Sequence, residues 1–155
     1  MVTRKTPKAS SPHGTQTWLA VVRAYNLCDS IMTTRLAELG LRIGEHEVLA
    51  TLATVPGITQ QDLAARCFVA KSGVSMLLTQ MEGRGWVVRK ADAGDARVKR
   101  LLLTKAGLAL AAKTLKIQSE VIGAMVDGAT DEQLSFVTGV MEQVSSRLEA
   151  LRAAR

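Results

Sequence analysis

Between Pro56-Gly57 and Thr104 the chain changes its period, and that change constrains the fold more than any other feature. Two short helical stretches come first. Thr59 starts one well: its hydroxyl caps free backbone N–H groups, and Asp62, three residues on, adds negative charge to the first turn. This stretch runs through Leu63 and Ala64 to about Arg66. After a turn near Cys67 to Ala70, a second helix is expected from about Lys71 to Glu82, ending around Gly83 and Gly85. The period then drops to that of strands. Trp86-Val87-Val88-Arg89-Lys90 and Val98-Lys99-Arg100-Leu101-Leu102-Leu103 are short, β-prone and basic. Between them lies the polar, glycine-containing turn Asp92-Ala93-Gly94-Asp95-Ala96-Arg97, so the pair reads as a hairpin.

The flanks are helical. Residues 1–14, rich in Ser, Pro, Thr and Lys, read as a flexible tail. From Thr15 a helix places Trp18, Val21, Val22, Tyr25, Cys28, Met32 and Leu39 on one face. A short apolar helix follows through Val48, Leu49 and Leu52, and Pro56-Gly57 stops it. Thr104 caps a long helix with Leu108, Ala111, Leu115, Gln118, Ile122 and Met125 on one face, broken at Asp127-Gly128. Thr130 with Gln133 forms a capping box for the last helix. There Leu134, Val137, Met141, Val144, Leu148 and Leu151 alternate steps of three and four, an a/d seam. Such a seam serves a second subunit, the reading favoured here, or packs on its own domain.

With 155 residues, 47% hydrophobic and 22% charged, the chain suits one core-forming domain, with or without an oligomerisation extension. No uncharged run reaches the roughly 18 residues of a membrane-spanning helix, and Arg4, Lys5 and Lys8 precede no apolar signal core. Two cysteines, Cys28 and Cys67, are too few for a disulfide framework and point to a reducing cytoplasm. Five aromatics leave little surface for stacking single-stranded bases. The net charge of +6 is unevenly spread: Arg66 to Arg100 holds eight basic residues against three acids, whereas residues 105–155 are neutral. A basic segment beside a neutral one suggests separate tasks, binding an anion and holding a partner, although a solvated face has the same composition.

Helix, turn, helix, then a basic hairpin is the order of a winged helix-turn-helix. The second helix fits the major groove, where base edges display distinguishable donors and acceptors, and the hairpin reaches along the sugar-phosphate. An Arg at its tip can enter a narrow, electronegative minor groove. Lys71, Ser72, Ser75 and Thr79 fall on the polar side of that helix, opposite Val74, Leu78 and Met81. Ser72 and Ser75 suit phosphate or base edges, and Gln80 suits adenine if it faces the groove. Lys99 and Arg100 alternate along their strand, so only one need face DNA and the other is expected in solvent.

The residues themselves resemble those of the multiple antibiotic resistance regulator (MarR) family. The resemblance rests on Gly57-Ile-Thr-Gln-Gln-Asp-Leu-Ala64, Ser72-Gly-Val-Ser75, Met81-Glu82, Arg84-Gly85 and Arg89. Asp92-Ala-Gly-Asp-Ala-Arg97 and Leu103-Thr-Lys-Ala-Gly107 extend it, so that it covers the chain from about residue 15. It implies a mainly α fold: one winged helix-turn-helix domain over 15–155, with a two-stranded β-wing in a DNA-binding lobe at about 45–103. Dimerisation helices would occupy about 15–40 and 104–155. It further implies a homodimeric bacterial or archaeal transcription regulator, cytoplasmic and at the nucleoid. Such a protein binds pseudopalindromic double-stranded DNA, usually as a repressor, and many relatives release it on binding a small aromatic or phenolic ligand. Arg97 then becomes the wing-tip Arg, with Asp95 holding it by a charge-assisted hydrogen bond, and Trp18, Arg23, Tyr25 and His46 become candidates for a ligand-pocket wall. Two residues depart from the pattern. Gly73 stands where a hydroxyl residue is common, and Met76 stands where Arg is frequent. Loss of a bidentate Arg–guanine contact removes roughly 1–3 kcal/mol of base discrimination.

Other chemistries find little support. Cys28 lies where one branch of the family keeps a peroxide-sensing thiol, but Tyr25-Asn26-Leu27-Cys28-Asp29 does not match that branch, and the acidic neighbour works against a thiolate. A packing role is the simpler reading for Cys28 and Cys67. Glu45-His46-Glu47 puts adjacent residues on different faces, so no three-ligand metal set forms, and His46 is expected at the surface or in a pocket wall. Ala70-Lys71-Ser72 lacks the glycines of a phosphate-binding loop, and neither a nucleophile elbow nor a zinc-protease motif is present. No cofactor, metal or enzymatic activity is expected. The alternatives to a DNA regulator are a winged-helix module for an acidic protein and a thiol sensor through Cys28.

Overall fold

In the computed structural model, residues 12–67 and 71–154 are described, except for the side chains of Lys71 and Ser72. Six helices and one two-stranded antiparallel sheet make up this part of the chain: α1 Pro12–Ala37, α2 Ile43–Thr54, α3 Gln60–Arg66, α4 Lys71–Gly83, β1 Val87–Ala91, β2 Lys99–Leu103, α5 Lys105–Val126 and α6 Asp131–Ala153. This is the mainly α fold with a two-stranded wing that the sequence pattern predicts. The chain divides into two compact units, residues 1–118 and 119–155.

The first helix starts earlier than its apolar period indicates. Residues 12–14, expected in a tail, belong to α1. Residues 1–11 of the expected tail lie outside the described residues. At the far end of α1, Gly40 takes a φ of 69°, and Leu41 N–H donates back to Leu36 O at 3.0 Å. Next, α2 opens on a reversed cap, in which the Glu45 carboxylate accepts from Arg42 N–H at 2.8 Å.

In the winged unit, Thr59 Oγ1 accepts from Asp62 N–H at 3.1 Å and fixes the start of α3 as its sequence predicts. Leu36, Val48, Leu49, Leu52, Leu63, Val74, Leu78, Met81, Val87 and Leu101 are all 1% exposed or less and form the core. The wing pairs Val87 with Leu103, Arg89 with Leu101 and Ala91 with Lys99. A further pairing escapes the sequence pattern. Gly57 N–H donates to Leu101 O at 2.9 Å, and Leu101 N–H donates to Ile58 O at 3.0 Å. Thus the lead-in to α3 lies as a short third strip along β2, and the wing is joined to the helix-turn-helix by backbone.

The Leu-Thr-x-x-Gly segment after the wing also has a steric reason. Thr104 Oγ1 donates to Gly85 O at 2.6 Å and accepts from Gly107 N–H at 3.0 Å. A Cβ on Gly107 would stand 2.0 Å from Trp86 O, so no other residue fits.

In the second unit, Thr130 and Gln133 form the expected reciprocal capping box, at 3.3 and 3.0 Å. Yet α6 has no buried residue. Of its predicted seam, Leu134, Met141 and Val144 are half-buried, while Val137, Leu148 and Leu151 are 55, 59 and 64% exposed.

Candidate nucleic-acid interface

With Val74, Leu78 and Met81 turned into the core, α4 presents Ser75, Met76, Thr79 and Gln80 outward. Both polar flanks of this face are engaged by arginines from neighbouring elements. On the wing side, Arg89 of β1 pairs with Glu82 at 2.5 Å. Its other terminal nitrogen reaches Thr79 Oγ1 at 3.4 Å and Ser75 O at 3.5 Å, while Thr79 Oγ1 donates to Ser75 O at 3.0 Å. On the opposite flank, Arg42 Nη2 donates to Gln80 Oε1 at 3.0 Å. Behind it, Glu45, 1% exposed, accepts from Arg84 Nη1 at 3.2 Å, and the Arg84 guanidinium stacks over Trp86 at 4.8 Å. Burial of a carboxylate costs free energy unless it is paired and hydrogen-bonded, and Glu45 is both.

The wing has its own scaffold. Asp92 Oδ2 accepts from Gly94 N–H at 2.9 Å and Asp95 N–H at 3.3 Å, closing the tip. Its other oxygen accepts from Arg100 Nε at 2.6 Å, and Arg100 Nη1 donates to Gly57 O at 3.1 Å. The bonds from Arg100 and from Gly94 hold the Asp92 carboxyl below the usual carboxylate range. Arg100, expected in solvent if Lys99 faced DNA, is therefore a strut from the wing to the α3 lead-in. Asp95 Oδ1 accepts from Arg97 N–H at 3.0 Å and Nε at 3.2 Å, leaving a guanidinium side chain 92% exposed at the tip. Lys99 Nζ is drawn back to Ala96 O at 3.2 Å.

Thus the structure brings Ser75, Thr79, Gln80, Asp95, Arg97 and Lys99 onto one helix-and-wing assembly, while the side chains of Lys71 and Ser72 lie outside the described residues. It does not gather the four pocket candidates. Trp18, Arg23 and Tyr25 are exposed along α1. His46 is not a surface residue: α2 is buried on several sides, and His46 is 4% exposed with Nδ1 lacking a hydrogen-bond partner among the described residues. Burial lowers its pKa. Cys28 is half-buried on α1. Cys67 is buried at the end of α3, where desolvation, with a contribution from Glu47, raises its thiol pKa against a hydrogen bond from Thr51. No group of three metal-ligating side chains occurs among the described residues.

Residues 39–98 match the model of the MarR family. Over its winged region the chain is similar to the MarR family of transcription regulators. The chain is 28% identical to a helix-turn-helix-type transcriptional regulator of Bacillus cereus over 77% of its own length and 80% of the relative. Its fold is that of AbsC, a MarR-family transcriptional regulator from Streptomyces coelicolor (TM-score 0.82, 21% identity, 92% of this chain and 99% of that one). It is also that of a MarR-family regulator from Listeria monocytogenes crystallised with a 26-mer DNA (TM-score 0.76, 19% identity, 84% and 87%). Of the residues that hold the interface, sequence reasoning does not select Arg42 and Glu45, quotes Glu82 and Arg89 only as residues of the resemblance, and sets Arg100 beside Lys99 without its partners. Glu45 carries a local signal, an acid three residues after a helix start. The partners of Arg89 and Arg100 are set by tertiary structure and leave no such trace.

Proposed function

We propose that this chain is a MarR-family regulator, acting in the cytoplasm as a homodimer that binds pseudopalindromic double-stranded DNA, represses transcription, and is released by a small aromatic or phenolic ligand. The observation that carries DNA binding is the pairing of an outward polar helix, α4, with a wing whose Arg97 is pre-oriented by Asp95 and otherwise free in solvent. A pre-oriented guanidinium loses little side-chain entropy on meeting phosphate or a minor groove. The DNA complex of the Listeria relative supports the same reading. The uncovered seam of α6, Leu134, Val137, Met141, Val144, Leu148 and Leu151, supports a second copy of the chain as its partner. Two recognition helices about 34 Å apart then meet successive major grooves.

Release follows if the ligand binds better to a dimer whose spacing misses that register. Trp18, Arg23 and Tyr25 on α1 remain its candidate contacts. The test is titration of labelled duplex from the flanking genomic region at two salt concentrations, with and without aromatic acids. Nanomolar-range binding that weakens steeply with salt and with ligand is expected. Failure to bind any upstream duplex, or salt-independent binding, would favour a protein-docking module.

A further inference from the structure

The outward face of α4 has an apolar centre. At about 100° per residue, Met76 points within about 20° of directly away from Val74, Leu78 and Met81, with Thr79 and Gln80 about 50° to either side. Met76 is 66% exposed. Thr79 is engaged by Arg89 on the wing side, and Gln80 by Arg42 on the α2 side. Met76 lies between these two engaged residues, and its exposed side chain offers a chiefly apolar surface. Among base-pair edges in the major groove, the apolar group is the C5-methyl of thymine. Gln80 fits the same partner. Arg42 takes one lone pair of the Gln80 Oε1, while both amide N–H groups remain as donors for acceptors such as thymine O4.

We propose that Met76 is a specificity-determining residue that reads a thymine through its C5-methyl group. The proposal rests on the DNA-binding reading above. Burial of one methyl against Met76 corresponds to about fourfold in affinity.

The test begins with selection of bound duplexes from a random pool by the full chain. In the enriched site, each thymine is then replaced singly by deoxyuridine, which removes only the methyl. One position should weaken binding by about fourfold in the parent protein and leave Met76→Ala unaffected. Reselection with Met76→Arg should shift that base pair from thymine to guanine. Met76 is exposed and outside the core, so both variants keep the fold. Equal deoxyuridine effects in parent and Met76→Ala, or one motif for parent and Met76→Arg, would overturn the proposal and leave DNA binding standing. Absence of any enriched duplex would remove both.

Discussion

The winged unit and α6 carry comparable proportions of apolar residues and solve opposite problems. In the winged unit ten large apolar side chains, Leu36 to Leu101, are 1% exposed or less, and the charged groups that position α4 and the wing are tied to one another: Arg42 and Arg84 at Glu45, Arg89 at Glu82, Arg100 at Asp92. Helix α6 has a complete capping box and a regular seam but no buried residue. Local signals suffice to make a helix, then, but not to cover its apolar face. The seam calls for a partner surface, whereas the face of α4 offers polar groups and Met76 outward, and the wing offers charged ones.

The largest expected effect tests how finished the winged unit is. In Gly107→Ala the new methyl meets Trp86 O, a backbone atom that the Thr104 hydroxyl network fixes. Overpacking of this kind should cost about 3 kcal/mol, read as a lower urea midpoint. An unchanged midpoint would mean that the wing and α5 can separate freely. Next comes α6. Met141→Asp with Val144→Asp should raise the dimer dissociation constant by at least about a hundredfold (about 2.7 kcal/mol) through desolvation and like-charge repulsion. Sedimentation should then show monomers with the wing's chemical shifts unchanged, and an intact dimer would place the interface elsewhere.

A smaller effect is expected at the wing tip. Arg97→Ala should leave stability unchanged, weaken duplex binding by about tenfold, and lower the salt slope by about one. A normal affinity would remove the tip from the binding surface.

These contrasts also explain what could be read in advance. Elements were legible because their signals are local: Thr59 and Asp62, Thr130 and Gln133, and the Asp92–Arg97 turn each act within a few residues. Asp95 and Arg97 are two residues apart, so their bond was legible too. Strand alternation leaves Arg100 either facing DNA or in solvent, and says nothing of Gly57, 43 residues away, to which it is tied. The surface alternative for His46 fails for a related reason. Its acidic neighbours make the first turn of α2 look polar, whereas Glu45 faces inward to meet Arg84, and that turn is buried.

The smallest expected effect comes from that buried imidazole, and its sign is fixed. Burial disfavours the protonated form of His46, so its folded pKa lies below the ordinary value. Above about pH 6.5 the ring is neutral in both states and imposes no pH dependence. Below it, the unfolded chain takes up a proton that the folded chain refuses, so stability falls until the folded pKa is reached. The Asp92 carboxyl is lowered and titrates in a more acidic range, outside a comparison of pH 7.5 with 5.5. Urea unfolding should therefore show a lower midpoint at pH 5.5 for the parent chain and a flatter response for His46→Gln. Identical pH responses would mean that water reaches Nδ1, and that the winged unit is less closed than its core implies.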